Sequence, residues 1–196
     1  MEHTINDLLF DFMEKIDEIY GVYLDAEAGF IQNNNLLEKA QRLSNERSAL
    51  SVSYLDTLPY LYSKGTPTNP NTIVLHEVTQ GRFKERNKEG GANHVIIAHL
   101  CLTQIYQYWE DHYKSLIANA IGISKEDLKS DIFGDIRIYR NSIIHYRGVA
   151  LPNIKKCKIL KWFNEGDSIV LTSDQIEEII FNVKNAINSI PEKYCG

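Results

Sequence analysis

The sequence predicts an all-α domain with one small β-hairpin inserted before its last helix. Three long stretches place apolar residues at steps of three and four, which is the spacing of an amphipathic helix. Two further patterns, beginning at Ser124 and at Thr172, have the form of a capping box that opens a helix. The 196 residues, 43% of them hydrophobic and 24% charged, fit one globular domain that spans residues 1–196.

The first apolar stretch predicts that residues 1–50 are mostly helical. The helical spacing is regular at first and becomes looser after Gly21. Gly29 and the three asparagines at positions 33–35 also lower the helix propensity. Two possibilities therefore stay open: one long bent helix, or two helices in tandem, ending in either case near Ser48.

Residues 51–93 give mixed signals. Residues 65–71 are rich in turn-forming glycine, proline and asparagine. The segment T-I-V-L-H at residues 72–76 fits either a short strand or the start of a helix. Residues 82–91 are charged and end in two glycines, which predicts a loop whose basic side chains either bind phosphate or are simply solvated.

Residues 93–150 contain the most regular helical pattern of the chain, followed by two further predicted helices. The pattern begins near Asn93, which can cap a helix, and closes at Gly122. Its first half is apolar nearly all round, which predicts a central and buried helix. A short helix is expected from Ser124, and the next helix should end at Gly148.

The C-terminal part predicts a β-hairpin followed by the last helix. Two apolar segments flank the turn sequence N-E-G-D, which is the pattern of a hairpin at residues 158–171. The capping box at Thr172 then opens a helix over residues 173–190, and Pro191 should end it.

Charge and cysteine content limit the classes to which the chain can belong. With a net charge of −5, any nucleic acid would have to bind a local basic patch. The three cysteines are far apart and form no C-x-x-C pair, which predicts neither a disulfide framework nor a zinc site and fits a reducing, cytoplasmic location. The sequence contains no signal-peptide pattern and no apolar run of about 18 residues, so no membrane partner is expected. No metal ion and no cofactor is expected either.

The strongest candidate for chemistry is the pattern R-N-x-x-x-H, formed by Arg140, Asn141 and His145. This pattern resembles the Arg-polar-x(3–5)-His motif of the HEPN superfamily, all-α domains of which many are metal-independent ribonucleases. The aromatic helix before the motif and the order of the helical segments are also similar to those of bacterial HEPN proteins. The resemblance implies an up-and-down helical bundle, and a homodimer in which two such motifs meet across a two-fold axis.

These residue types suit RNA cleavage without a metal ion. Such cleavage needs a base for the 2′-hydroxyl proton, an acid for the leaving 5′-oxygen, and a cation beside the charged phosphorane. Histidine, with an ordinary pKa of ~6.5, suits either proton transfer, and the planar guanidinium of arginine suits the phosphate. One chain supplies one histidine of the motif, so a dimer would supply the second.

Helix geometry adds a complication to this interpretation. At about 100° per residue, Asn141 and His145 lie about 40° apart, whereas Arg140 and His145 lie about 140° apart. Either the helix loosens before His145, or the partner chain completes the pairing. Arg137, about 80° from the histidine, could assist. A further basic set could contact RNA: Lys155, Lys156 and Lys158.

A structural role for the motif residues is the main alternative. Arg140 could be a buried arginine that pairs with a carboxylate such as Glu110 or Asp135. His145 could be a core histidine bonded to a backbone carbonyl. In a third interpretation the chain is a helical scaffold, and the motif is a coincidence.

The expected function is that of a HEPN-type endoribonuclease, a toxin or defence effector that an antitoxin or another regulatory protein holds in check. Its RNA substrate would be cleaved by Arg140 and His145 at a dimer cleft. The alternative from a different class is a catalytically silent HEPN-like module that binds a protein or a nucleotide.

Overall fold

The computed structural model describes residues 4–66 and 69–194, and most of them are helical. This confirms the predicted mainly helical class. Among these residues, none of the helices has both the length and the apolar character needed to cross a bilayer. The helices are α1 (Ile5–Ser48), α2 (Val52–Leu55), α3 (Gln80–Asn87), α4 (Ala92–Tyr108), α5 (Lys114–Ile121), α6 (Asp131–Tyr146), α7 (Ser173–Asn188) and α8 (Ile190–Tyr194), with a π-helical turn at Trp109–Tyr113 and a 3-10 helix at Pro152–Lys156.

The described residues group into two compact units. The first unit comprises the described residues up to Leu24 together with those from Val95 onward, and the second unit comprises Asp25–His94. Helices α1 and α4 each contribute residues to both units. The prediction of one domain over residues 1–196 stays a prediction.

Helix α1 is continuous from Ile5 to Ser48, so the possibility of one long helix is confirmed over two helices in tandem. A methyl group added at either Gly21 or Gly29 would have no atom within 4 Å, so these glycines serve no close packing. The helix ends where Ala49 takes a positive φ of 52°, an uncommon conformation for a residue with a side chain.

The core of the first unit is built around stacked aromatic rings. Phe12 on α1 is fully buried, and its ring centroid lies 4.3 Å from that of Tyr113. Trp109 and Phe133 stack at 4.1 Å. Each such pair adds about 0.5–1.5 kcal/mol beyond the burial of its area. Aliphatic side chains with at most 2% exposure complete this core: Ile16, Leu102, Ile105, Ile117, Leu128, Ile132, Ile136, Leu160, Ile169, Ile179, Val183 and Ile187.

Helix α4 passes through the π-helical turn directly into α5. The predicted end of this helix at Gly122 is confirmed, because Gly122 adopts a left-handed φ of 77°. The helix begins at Ala92, one residue before the asparagine that was expected to cap it. In the π-helical turn, Trp109 and Tyr113 are both buried in the aromatic core.

The short helix expected from Ser124 is a turn instead. The Asp127 N–H donates to the Ser124 hydroxyl at 3.2 Å, and this hydroxyl donates back to the Asp127 carboxylate at 2.7 Å. The hydroxyl of Ser124 and the N–H and carboxylate of Asp127 therefore find their hydrogen-bond partners within a single turn. Residues 128–130 then form no regular secondary structure, and α6 begins at Asp131.

The predicted hairpin at residues 158–171 is wrong. A turn does form around residues 164–167, but Ser168 pairs with Val149 rather than with the segment before the turn. In the described residues the antiparallel sheet lies elsewhere, with β1 (Pro59–Lys64) paired to β2 (Ile73–Thr79).

A single carboxylate explains why the hairpin does not form. Asp135 on α6 accepts the backbone N–H groups of Lys158, Ile159 and Leu160 at 2.7–2.9 Å. These donors are therefore not available for a ladder with residues 168–171. The sequence pattern gives no sign of this nonlocal acceptor.

The C-terminal helix begins as predicted. The Thr172 hydroxyl accepts from the Gln175 N–H, the Gln175 side chain accepts from the Thr172 N–H, and together they form a capping box. Helix α7 ends at Asn188, slightly before the expected stop. Pro191 then lies in the first turn of α8, where a missing N–H costs little.

The second unit contains the β-hairpin and α3 beside the later part of α1. The expected loop at residues 82–91 is wrong for its first half, because Thr79 caps α3. The Gln41 amide of α1 donates to the Asp56 carboxylate and to the Gln80 side chain, both at 2.9 Å. Lys84 pairs with Asp56 at 2.6 Å. A polar cluster therefore connects α1, α3 and the turn before β1.

Candidate active site

Helix α6, which carries the motif, is anchored along its buried side and at its end. Ile136 and Tyr139 are fully buried, and the Tyr139 hydroxyl donates to the Leu160 carbonyl at 3.0 Å. Arg147 ends the helix with a left-handed φ of 54°, and Gly148 follows at 79°. The predicted stop of the helix at this glycine is therefore correct to within two residues. Side chains on α6 project from a fixed scaffold.

Ser142, inside the motif, is a structural residue that the pattern R-N-x-x-x-H does not reveal. Its side chain is fully buried, its hydroxyl donates to the Ile138 carbonyl at 3.2 Å, and it accepts the Leu151 N–H at 3.2 Å. A serine within an apolar helix was the available signal. Through these two hydrogen bonds, Ser142 attaches the segment after α6 to the helix.

The four predicted site residues on α6 are all at least partly accessible to solvent. Arg137 and His145 are exposed, and Arg140 and Asn141 are half-buried. Arg137, Asn141 and His145 follow each other at steps of four, and Ile144, which is 46% exposed, lies between them. We call Arg137, Asn141, Ile144 and His145 the α6 stripe.

Within one chain, α6 does not bring Arg140 and His145 together. The helix is unbroken through Tyr146, so it does not loosen before the histidine. The two side chains therefore keep the separation of about 140° around the helix axis. Of the two solutions that the sequence left open, the loosened helix is wrong, and completion by a partner chain stays a prediction.

Arg140 makes a cation–π contact rather than an ion pair. Its guanidinium carbon lies 5.9 Å from the centroid of the Tyr106 ring, and its buried Nε has no hydrogen-bond partner in the described residues. The predicted partners are engaged elsewhere: Asp135 binds backbone N–H groups, and Glu110 pairs with lysines. The interpretation of Arg140 as a salt-bridged core residue is therefore wrong.

Tyr106 and Glu110 define the electrostatics beside Arg140. Burial raises the pKa of the Tyr106 phenol, and Glu110 acts in the same direction, whereas Arg137 and Arg140 act against it. Burial also acts to raise the pKa of Glu110, but Lys125 at 3.0 Å and the nearby Lys114 outweigh it and lower that pKa. Both arginines thus lie close enough to influence one phenol.

His145 is an exposed imidazole in the last turn of α6. In the part of the chain that the structure describes, no hydrogen bond to its ring is found, so the interpretation as a core histidine is wrong. An exposed imidazole can exchange a proton with a bound ligand, which a buried and bonded one cannot do as freely.

A second histidine near the end of α6 was missed. The His99 Nε2 lies 2.8 Å from the Ile169 carbonyl, to which it donates, and its ring packs against Gly148. A methyl group on Gly148 would meet the His99 Cε1 at 3.1 Å. Burial lowers the pKa of His99, although the bond to Ile169 opposes this shift. His99 therefore supports the α6 terminus.

The three predicted RNA-contacting lysines differ in their surroundings. Lys155 and Lys156 are exposed on the 3-10 helix, and Lys158 pairs with Asp131 at 2.7 Å. Lys156 and Lys158 line a groove of about 460 Å³ beside α6, and Arg137 of the α6 stripe lines it too. Lys155 is not part of this lining. We call this cavity the α6 groove.

Residues with metal-binding side chains do not cluster near the motif. In residues 4–66 and 69–194, no three His, Cys, Asp or Glu side chains are arranged to hold a metal ion. Cys101 and Cys157 are buried thiols, and burial raises their pKa values to about 11 and about 12. Neither thiol is therefore an ionised nucleophile at neutral pH.

No family model, no curated protein and no solved structure matches the chain. The resemblance to the HEPN superfamily thus depends on the residues at positions 140, 141 and 145 and on the order of the helices, and it stays a prediction.

Proposed function

We propose that this chain is a HEPN-type endoribonuclease that cleaves RNA without a metal ion. The observation that supports this proposal is the arrangement on α6. A rigid helix presents an exposed imidazole at His145 and a guanidinium at Arg140 that is engaged by an aromatic ring instead of a carboxylate. An arginine without an acidic partner keeps its N–H donors available for a phosphate.

The proposed reaction uses the ribose 2′-hydroxyl as the nucleophile. One His145 takes the 2′-proton as the 2′-oxygen bonds to phosphorus, and the P–O5′ bond breaks. A second, protonated His145 gives its proton to the leaving 5′-oxygen. Arg140 offsets the charge on the phosphorane, and Asn141 positions the phosphate. The products are a 2′,3′-cyclic phosphate and a 5′-hydroxyl.

The second histidine comes from a homodimer in this proposal. In two antiparallel α6 helices, residues at equal distance from the two-fold axis face each other. An axis level with positions 142 and 143 places each Arg140 opposite the partner's His145. Ile144 would then lie near the centre of the interface, which suits its 46% exposure. On α4, Ile96 and Leu100 are also exposed apolar residues of the first unit.

The biological role that we propose follows from the family resemblance. A ribonuclease of this kind acts in the cytoplasm as a toxin or defence effector, and an antitoxin or another regulatory protein restrains it. The exposed α6 stripe is the surface that such a partner would have to cover.

The test is cleavage of RNA by His145→Ala beside wild type, in excess EDTA. We expect wild type to cleave RNA, to leave DNA intact and to give cyclic-phosphate ends. His145→Ala should be slower by about 10²–10⁴, because it removes a proton-transfer group. His112→Ala is the matched control, since His112 is also an exposed imidazole of the first unit. A folded His145→Ala protein that cleaves at the wild-type rate would overturn the mechanism.

A second candidate function is a silent module that binds a protein or a nucleotide. One observation favours it: within a single chain, Arg140 and His145 lie on different sides of an unbroken helix. If sedimentation shows a strict monomer at micromolar concentration and RNA stays intact, this second function replaces the first.

A further inference from the structure

The α6 groove is a surface cavity of the first unit whose mixed lining contains more cationic side chains than carboxylates. Its volume of about 460 Å³ falls within the usual range of small-molecule pockets. The basic residues that line it come from four separate segments of the chain: Lys114, Lys129, Arg137, Lys156 and Lys158.

The carboxylates of the α6 groove are already engaged. Glu110 pairs with Lys114 and Lys125, and Asp131 pairs with Lys158. The third one, on the buried Asp135, accepts three backbone N–H groups. None of the three is therefore free to form a further ion pair, although their charges still offset part of the positive charge of the lining, in which cations outnumber carboxylates.

Three cations of the α6 groove are left without a carboxylate. Within residues 4–66 and 69–194, Lys129, Arg137 and Lys156 form no ion pair. All three side chains are exposed. The groove thus presents a local positive charge on a protein whose net charge is −5. This is the local basic patch that binding of a polyanion requires.

The α6 groove is continuous with the candidate active site. Arg137 belongs both to the groove and to the α6 stripe, two turns before His145. The rise along the helix between these two residues is about 12 Å. Tyr106 lines the groove and also holds the Arg140 guanidinium. A chain of phosphates could therefore pass from the groove to the motif.

We propose that the α6 groove binds the phosphate backbone of single-stranded RNA next to the scissile bond. The choice of RNA as the polyanion depends on the proposed function. A single strand fits the groove because the cavity is of small-molecule size, whereas a duplex needs a broad surface.

The groove recognises charge and not bases. The aromatic side chains in its lining are unavailable for stacking, because Trp109, Phe133 and Tyr106 are 2%, 3% and 9% exposed. The Tyr106 ring is also engaged by the Arg140 guanidinium. Binding is therefore tolerant of base sequence and falls steeply as the salt concentration rises.

The test compares two double variants that remove equal charge. In Lys129→Gln/Lys156→Gln both changes are in the groove. In Lys161→Gln/Lys193→Gln both changes are at exposed lysines of the first unit outside it. The probe is a fluorescein-labelled 2′-O-methyl RNA, which 2′-hydroxyl chemistry cannot cleave. The groove variant should bind about tenfold more weakly, and the slope of log K against log salt should fall by about 1.4. The control variant should bind like wild type.

Poly-glutamate, a polyanion without phosphates, serves as the competing probe. The proposal is overturned if RNA binding weakens equally in both variants, weakens in neither, is absent in wild type, or is no tighter than the binding of poly-glutamate. Cleavage of unmodified RNA is measured separately. A protein that binds through the groove but does not cleave would overturn the proposed ribonuclease and leave the groove intact. If wild type cleaves RNA and the groove variant binds and cleaves RNA as well as wild type, the groove proposal is overturned and the proposed ribonuclease is not.

Discussion

The interiors of the two units are stabilised by different kinds of interaction. Among the described residues of the first unit, the buried polar ones are Asp135 and Ser142, within a large aromatic and aliphatic core. In the described residues of the second unit, the buried apolar side chains are Leu37, Leu55 and Phe83, and Gln41, Asn87 and His94 are as deeply buried. Hydrogen bonds hold geometry but add little net stability, whereas apolar burial is the main favourable term in folding.

This difference teaches where a rigid site can be built. The motif residues lie in the first unit, on a helix whose buried side packs into the large core. The second unit exposes apolar residues of its two-stranded sheet, such as Ile73 at 60% and Leu75 at 58%. An isolated hairpin is only marginally stable in water. We expect the second unit to open more readily than the first.

The largest expected effect comes from the central phenylalanine of each unit. Phe12 and Phe83 are both fully buried, and Phe83 stacks on Tyr60 at 4.0 Å. Each change to alanine should lower the free energy of unfolding of its own unit by about 3–5 kcal/mol. Amide hydrogen exchange measures the units separately: Phe83→Ala should release the amides of β1, β2 and α3. If Phe83→Ala released the α6 amides equally, the two units would unfold as one.

The next effect is a dependence on pH in the second unit. The hydrogen bond from Lys84, followed by the one from Gln41, lowers the pKa of Asp56 below its ordinary value of 3.8. The stability that this carboxylate provides is therefore present above pH 3.8 and is lost as the pH falls through the lower folded-state pKa. NMR signals of β1 and β2 should shift or broaden on acidification before those of α6. Asp56→Asn should remove this transition.

The control for that titration is Glu110→Gln in the first unit, because its pKa is also lowered by lysines. This variant should leave the acid transition of β1 and β2 unchanged. A transition that disappears in Glu110→Gln and persists in Asp56→Asn would contradict the assignment.

The smallest expected effect is a gain in stability from two glycines of α1. Gly21 belongs to the first unit and Gly29 to the second, and at neither position would an added methyl group meet an atom within 4 Å. Each change to alanine should raise the local free energy of unfolding by about 0.5–1 kcal/mol. If amide hydrogen exchange slows only in the unit that carries the substitution, the two units open independently. Equal slowing in both would show that α1 couples them.

Local patterns predicted the elements whose groups are satisfied locally. The capping box at Thr172 and the helix end at Gly122 were found because neighbouring residues provide the partners. The motif helix, and the fact that Asn141 and His145 share one face of it, were predicted for the same reason. Helical spacing specifies which side chains share a face, without reference to distant parts of the chain.

Elements that depend on distant partners were not predictable in this way. The hairpin at residues 158–171 fails because Asp135, more than 20 residues earlier, takes the backbone donors. The strand at Ile73–Thr79 confirms one of the two possibilities for residues 72–76. The sequence left that choice open because nearly all of its side chains are exposed, so apolar and polar residues do not alternate. The cation–π contact of Arg140 likewise depends on Tyr106, which lies on another helix.

The carboxylate of Asp135 also affects how freely the surface beside the motif can diversify. It holds residues 158–160 through backbone N–H groups alone, and these groups are the same for almost every amino acid. The exposed side chains at Lys158 and Ile159 can therefore be exchanged while the segment keeps its position. The rim of the α6 groove can accumulate substitutions that alter its charge. A change at Lys158 removes an exposed ion pair with Asp131 at the start of α6, but the bonds from Asp135 to the backbone remain.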